Sequence, residues 1–183
     1  MSYNDILMKI KDIVFSTIYN TLRKICFVRP ATSFMKKNFS NKSVIGLEIG
    51  VQCGFNSMSM FKALNIKKLY LVDPWDNEDH YQTAMKMLSP FKDKIEIIKK
   101  FSEDAASDVK EELDFVYIDG NHDYEFVKKD IELYYPLIKK GGIIGGDDFS
   151  IDFVGVAKAV IEFADKKNLK INGGGNDWWF IKS

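Results

Sequence analysis

From residue 44 onward the chain alternates short apolar runs with stretches of helical composition, and this alternation constrains its fold more than any other feature. VIGLEIG, KLYLVDPW, IEIIKKF, LDFVYIDG and GGIIGGDDF each have the length and β-branched content of a buried strand. Between and after them, Asn56 to Leu64, Asp79 to Ser89, Ser102 to Lys110, Tyr124 to Ile138 and Val154 to Lys167 suit helices. Strands that alternate with helices predict a parallel sheet covered on both faces, a doubly wound α/β domain of Rossmann-like architecture. The tail LKINGGGNDWWFIKS has two strand-like runs around Gly173 to Asn176, so the seven-stranded, mostly parallel sheet is expected to end in an antiparallel hairpin. The domain should span residues 44–183, with residues 1–43 as a helical cap or interface segment.

In open α/β sheets ligands lie beyond the carboxyl ends of the strands, where this sequence holds its conspicuous polar residues. Glu48-Ile-Gly50-Val-Gln-Cys-Gly54 runs from a strand through a glycine turn into a helix, which brings backbone amides close to a ligand. The spacing departs from the dinucleotide fingerprint G-x-G-x-x-G, because Gly46 lies four residues before Gly50. That counts against a nicotinamide-dependent oxidoreductase. Asp73 ends the next strand, where an acidic side chain can accept hydrogen bonds from both hydroxyls of a ribose.

Asp119 ends the fourth strand, and Asp147 and Asp148 end the fifth; neighbouring parallel strands would bring all three carboxylates together. Either a cation neutralises such a cluster or one member takes up a proton. Oxygen ligands favour a hard divalent ion such as Mg²⁺. The alternative is that Asp147 or Asp148 caps the following helix. His122, three residues after Asp119, has an imidazole suited to accept a proton at neutral pH.

These motifs resemble the class I S-adenosylmethionine-dependent methyltransferases, and among them the small metal-dependent sugar and macrolide-glycoside O-methyltransferases. The resemblance runs over about residues 44 to 183 through Glu48-x-Gly50-x-x-x-Gly54, LVDPW, FVYIDGNHDYEFVKKDIELYYPLIKKGG and GGDDF. It implies S-adenosyl-L-methionine as cofactor, with the Glu48 to Gly54 turn against its methionine part, Asp73 on the ribose, and Ser102 and Glu103 bordering the adenine. Without the family, Ser102 and Glu103 read equally as a helix cap and a first-turn acid. The resemblance also implies Mg²⁺ or another hard divalent cation on Asp119, Asp147 and Asp148, with Asp119 next to the cofactor. Some relatives have an acidic residue where this chain has Asn121, so the base would be His122, unless the metal alone acidifies the hydroxyl. The expected reaction is O-methylation of a sugar or glycosylated small molecule. The competing class is a non-catalytic binding module on the same fold.

Composition narrows the remaining classes. The 183 residues carry 26 Lys+Arg and 26 Asp+Glu, a neutral total that argues against a nucleic-acid partner. The balance is uneven: residues 103–152 hold 5 Lys/Arg against 14 Asp/Glu and contain the proposed ligands. Two cysteines, Cys26 and Cys53, form neither a disulfide framework nor a zinc site, and a cytoplasmic location is expected. In the first 27 residues, apolar positions Ile6, Leu7, Ile10, Ile13, Val14 and Ile18 recur at helical spacing and predict an N-terminal amphipathic helix. It would pack on the domain or on a partner subunit, with membrane-surface contact through residues 1–30 as the less favoured reading. So little covering material suggests an open site or one completed in a homo-oligomer.

Overall fold

The computed structural model describes residues 28–183, and the N-terminal amphipathic helix expected from the sequence lies outside them. The first described helix, α1 (Pro30–Phe39), begins with a proline at its first turn, where the missing N–H leaves no hydrogen bond unmade. There follow β1 (Val44–Ile49), α2 (Phe55–Ala63), β2 (Ile66–Val72), α3 (Glu78–Leu88), β3 (Ile95–Ile98), α4 (Ser102–Ala105), β4 (Leu113–Ile118), α5 (Tyr124–Tyr134), β5 (Ile138–Gly146), α6 (Val154–Lys167), β6 (Asn172–Gly174) and β7 (Asp177–Ile181).

The seven strands form one sheet in the order β3-β2-β1-β4-β5-β7-β6. The five strands β1 to β5 run parallel, while β7 is antiparallel to β5 and β6 antiparallel to β7. The expected hairpin ends the sheet, turning at Gly175 and Asn176 between the paired Gly174 and Asp177. Strand order reverses between β1 and β4, which opens a crevice at their carboxyl ends.

Alternate side chains of the central strands enter opposite layers, as a period of two requires. Leu47, Ile49, Val116 and Ile118 pack with Val127 and Ile131 of α5 and Val160 and Phe163 of α6. Leu69, Leu71, Phe115 and Tyr117 face Ala31 and Met35 of α1, Met60 of α2 and Leu88 of α3. No helix among the described residues is long and apolar enough to cross a membrane.

Two helices are shorter than their sequence spacing predicts. The stretch from Ser102 to Lys110 is a four-residue helix followed by a 3-10 turn at Ala106–Asp108, because only Ala105 is buried and so short an apolar face cannot hold a longer helix. The stretch from Tyr124 to Ile138 leaves the α conformation after Tyr134, where Pro136 lacks the N–H the next turn needs.

Candidate active site

The crevice between β1 and β4 opens into a cavity of about 830 Å³, within the range that holds a drug-sized ligand or cofactor. Its walls include Glu48, Gly50, Asp73, Ser102, Glu103, Asp119, His122 and Asp148, eight of the ten residues singled out in the sequence. Gly54 and Asp147 do not line it. Gly54 has φ +79° and starts α2, so its role is to turn the chain into the helix. Gly50 has φ +82°, and a Cβ there would lie 2.0 Å from the carbonyl oxygen of Asp119. The two strand ends thus meet backbone to backbone.

Glu48 is fully buried and accepts hydrogen bonds from Asn56 Nδ2 at 2.9 Å and from the Ser57 hydroxyl. Burial pushes its carboxyl up to about 7 against those bonds, so at neutral pH it carries only part of the negative charge expected of it. A sulfonium nearby would favour its ionised form. Asp73 Oδ2 accepts from the backbone N–H of Gln52 at 2.9 Å and its Oδ1 from that of Trp75 at 2.7 Å. Both oxygens keep further lone pairs for a ligand.

Ser102 and Glu103 open α4 at the cavity, where the N-cap position is held by Phe101 rather than by Ser102. Glu103 is ion-paired with Lys129 of α5. Beside them stand two features the sequence did not flag. Phe101 and Phe126 line the cavity while 57% and 47% exposed, and Asp130, 3% exposed, sits among them. Burial pushes the Asp130 carboxyl up to about 6, partly offset by a bond from Ser102. A helical period places Phe126 and Asp130 one turn apart on α5, but nothing in the sequence marks that face as lining a cavity.

The acidic cluster divides in two. Asp148 has φ +63°, an uncommon conformation for a side-chain-bearing residue, and lies 2.7 Å from His122 Nε2 through its Oδ2. Ligand atoms of Asp119, His122 and Asp148 all lie within 4.8 Å of one another. Asp147 is turned to the guanidinium of Arg29, which also lies 3.3 Å from Asp119 Oδ2 and 3.4 Å from Asp177 Oδ1. Desolvation, together with Asp147, Glu48 and Asp148 nearby, pushes the Asp119 carboxyl up to about 8 despite Arg29. Neither Asp147 nor Asp148 caps α6, whose first turn follows Phe153 with no side-chain cap. Sequence reading missed Arg29 and Asp177, since their pairing across 148 positions leaves no local pattern.

His122 is partly exposed and its ring packs against Phe153 at 4.7 Å between centroids. Trp75, Trp178 and Trp179 are buried. The Trp75 indole N–H donates to the Gln52 carbonyl at 2.8 Å and so braces the glycine turn.

Residues 47–149 match the profile of a family described as a methyltransferase domain. Uncharacterized protein R132 of Acanthamoeba polyphaga mimivirus is 28% identical over 123 residues, covering 63% of this chain and 56% of that protein, so the match spans just over half of the relative's length. The fold is similar to that of an O-methyltransferase from Bacillus cereus in complex with SAH, at a TM-score of 0.68 and 16% identity over 94% of this chain and 90% of that one. It is also similar to the MycE methyltransferase of the mycinamycin biosynthetic pathway in complex with Mg and SAH, at a TM-score of 0.60 and 19% identity over 84% of this chain and 49% of that one. At such identities the likeness to solved structures is one of fold.

Proposed function

The chain belongs to the methyltransferase-domain family, and from that premise we propose that it transfers the methyl group of S-adenosylmethionine to a hydroxyl of a sugar or glycosylated small molecule. The observation that carries this reading is the single cavity wall running from Glu48 and Asp73 to Asp119, His122 and Asp148. One end offers carboxylates and turn amides to a cationic nucleoside; the other offers a base beside the place where its methyl group would sit.

Bound S-adenosylmethionine would supply an electrophilic sulfonium methyl carbon to the acceptor oxygen and, as its C–S bond gives way to the new C–O bond, would become the neutral thioether S-adenosylhomocysteine. The hydroxyl proton passes to His122. Its Nε2–H donates to Asp148 across the 2.7 Å contact, which orients the ring and leaves the Nδ1 lone pair to take the proton. Asp73, fixed by two backbone N–H groups, would hold the ribose hydroxyls. The acidic, amide-bearing wall of Asp119, Asn121 and Asp148 suits a polyol and repels a phosphate backbone, which favours a glycan-like acceptor over nucleic acid.

A metal-assisted form draws support from the convergence of donor atoms within 4.8 Å, which is compatible with one divalent ion held by Asp119, His122 and Asp148. An ion there would lower the hydroxyl pKa and relieve His122 of the proton. Relative to the set expected from the sequence, His122 stands where Asp147 was expected, and one nitrogen donor widens the choice beyond Mg²⁺ to Mn²⁺ or other first-row ions.

The test is isothermal calorimetry with S-adenosylhomocysteine, followed by transfer of labelled methyl to a panel of sugar-bearing acceptors with and without chelator. Binding and transfer are expected. Binding without transfer to any hydroxyl acceptor would leave the non-catalytic module as the better reading, and no binding would remove the cofactor assignment.

A further inference from the structure

We propose that Arg29 is a tethered cation that competes with a divalent ion for the carboxylates at the acidic pole of the cavity. This rests on the metal-assisted form of the reading above. Four carboxylates gather there, from Asp119, Asp147, Asp148 and Asp177, and the Arg29 guanidinium reaches three of them. It also lies over the Tyr117 ring, 5.7 Å from the centroid.

Asp177 does not depend on Arg29. It accepts from the backbone N–H of Ala31 at 2.8 Å and from the Tyr117 hydroxyl at 3.1 Å, and it is buried. Asp119 and Asp147 differ: among the described residues, Arg29 is the one side chain seen donating to their carboxylates. Asp119 belongs both to the Arg29 contacts and to the donor set it forms with His122 and Asp148. Two cations on one half-buried carboxylate repel each other strongly, so occupancy by one opposes the other.

The exchange needs only a side chain to move. Arg29 lies in extended backbone just before α1, whose start is pinned independently by the Ala31 to Asp177 bond. Arg29 lines the cavity, and the start of the helix does not depend on its side chain. When it leaves, the Asp147 carboxylate is released to join the donor set, which restores the three-aspartate ligand set that the sequence pattern implies. Arg29 therefore acts as a positioning residue: its guanidinium occupies Asp119 and Asp147 until an ion arrives.

The full-length protein, its Arg29→Met and Arg29→Lys variants and Asp148→Asn are titrated with Mn²⁺ and followed by electron paramagnetic resonance of the free ion, a readout independent of methyl transfer. Arg29→Met is expected to bind Mn²⁺ at least about tenfold more tightly than wild type. Arg29→Lys, which keeps the charge and loses the planar fork, should fall between them, and Asp148→Asn should lose the site. Should Arg29→Met not fold, a rise of about threefold or more in Arg29→Lys carries the test. Equal or weaker affinity in the arginine variants overturns the proposal, and so does absence of Mn²⁺ binding in every form. A parallel titration with S-adenosylhomocysteine separates the two failures: if it binds while the arginine variants show no gain for Mn²⁺, the competition falls and the cofactor reading stands, whereas loss of both removes the S-adenosylmethionine-dependent reading as well.

Discussion

Gly50 and Asp119 touch through their main chains: a Cβ added to Gly50 would sit 2.0 Å from the Asp119 carbonyl oxygen. The Asp119 N–H in turn donates to the Ile49 carbonyl at 2.8 Å. This contact joins the ends of β1 and β4, and it sets how far apart the glycine turn and the acidic cluster stand.

Gly50→Ala should therefore disrupt the site as well as strain the backbone. The φ of +82° disfavours any side chain, and the collision is with main-chain atoms that have no rotamer to escape into. The expected loss is about 2–4 kcal/mol of stability, read as a fall in melting temperature of roughly 5–15 °C. An unshifted melting curve with unchanged S-adenosylhomocysteine affinity would contradict this placement.

Asp73→Asn tests the ribose assignment. The amide retains one acceptor oxygen but loses the charge that strengthens hydrogen bonds to hydroxyls, and either Gln52 or Trp75 loses its acceptor. Affinity for S-adenosylhomocysteine should drop about 10–100-fold by calorimetry, in line with the ~1.5–3 kcal/mol value of a charged hydrogen bond. A change of less than twofold places the ribose elsewhere.

His122→Gln separates catalysis from folding. The ring is 42% exposed, so its removal should shift thermal stability little, whereas turnover should fall by about 10²–10⁴-fold with cofactor affinity unchanged. Retained turnover with chelator present would assign the proton to another acceptor.

Stability should depend on pH through Asp130. Its folded carboxyl holds a proton up to about pH 6, whereas the unfolded one releases it near the ordinary value of 3.8. Between these values the folded state binds more protons, so stability falls as pH rises through that window and levels off above it. The difference corresponds to at most about 3 kcal/mol. Urea unfolding at pH 4 and pH 8 should show Asp130→Asn similar to wild type at the lower pH and more stable at the higher. Glu48, raised from 4.5 to about 7, adds a second fall of the same sign that persists in the variant. Equal pH dependence in wild type and variant would remove Asp130 as its source.

Much of this was legible along the chain. The strand at VIGLEIG reads as buried because nearly every position is apolar, which a strand covered on both faces requires, and β1 is buried at five of its six residues. The residues ending each strand, Glu48, Asp73, Asp119 and Asp148, all face the cavity because parallel strands put their carboxyl ends on one side. The helix after Ser102 was overextended, since local composition does not reveal that a single alanine anchors it. Asp130 and the two exposed phenylalanines escaped notice because their place at the cavity depends on what faces them from another element.

Sequence alone determined the layer architecture, the hairpin at the sheet's end, and the convergence of strand-end carboxylates, since periodicity and turn chemistry are written in neighbouring residues. Tertiary structure alone decided how those carboxylates are shared. Asp147 and Asp148 are consecutive, yet one turns to Arg29 and the other to His122. The reason is spatial: Arg29 arrives from 118 residues upstream of Asp147, brought there by burial of α1 against the sheet, and a charge delivered by packing has no signature in the segment it neutralises.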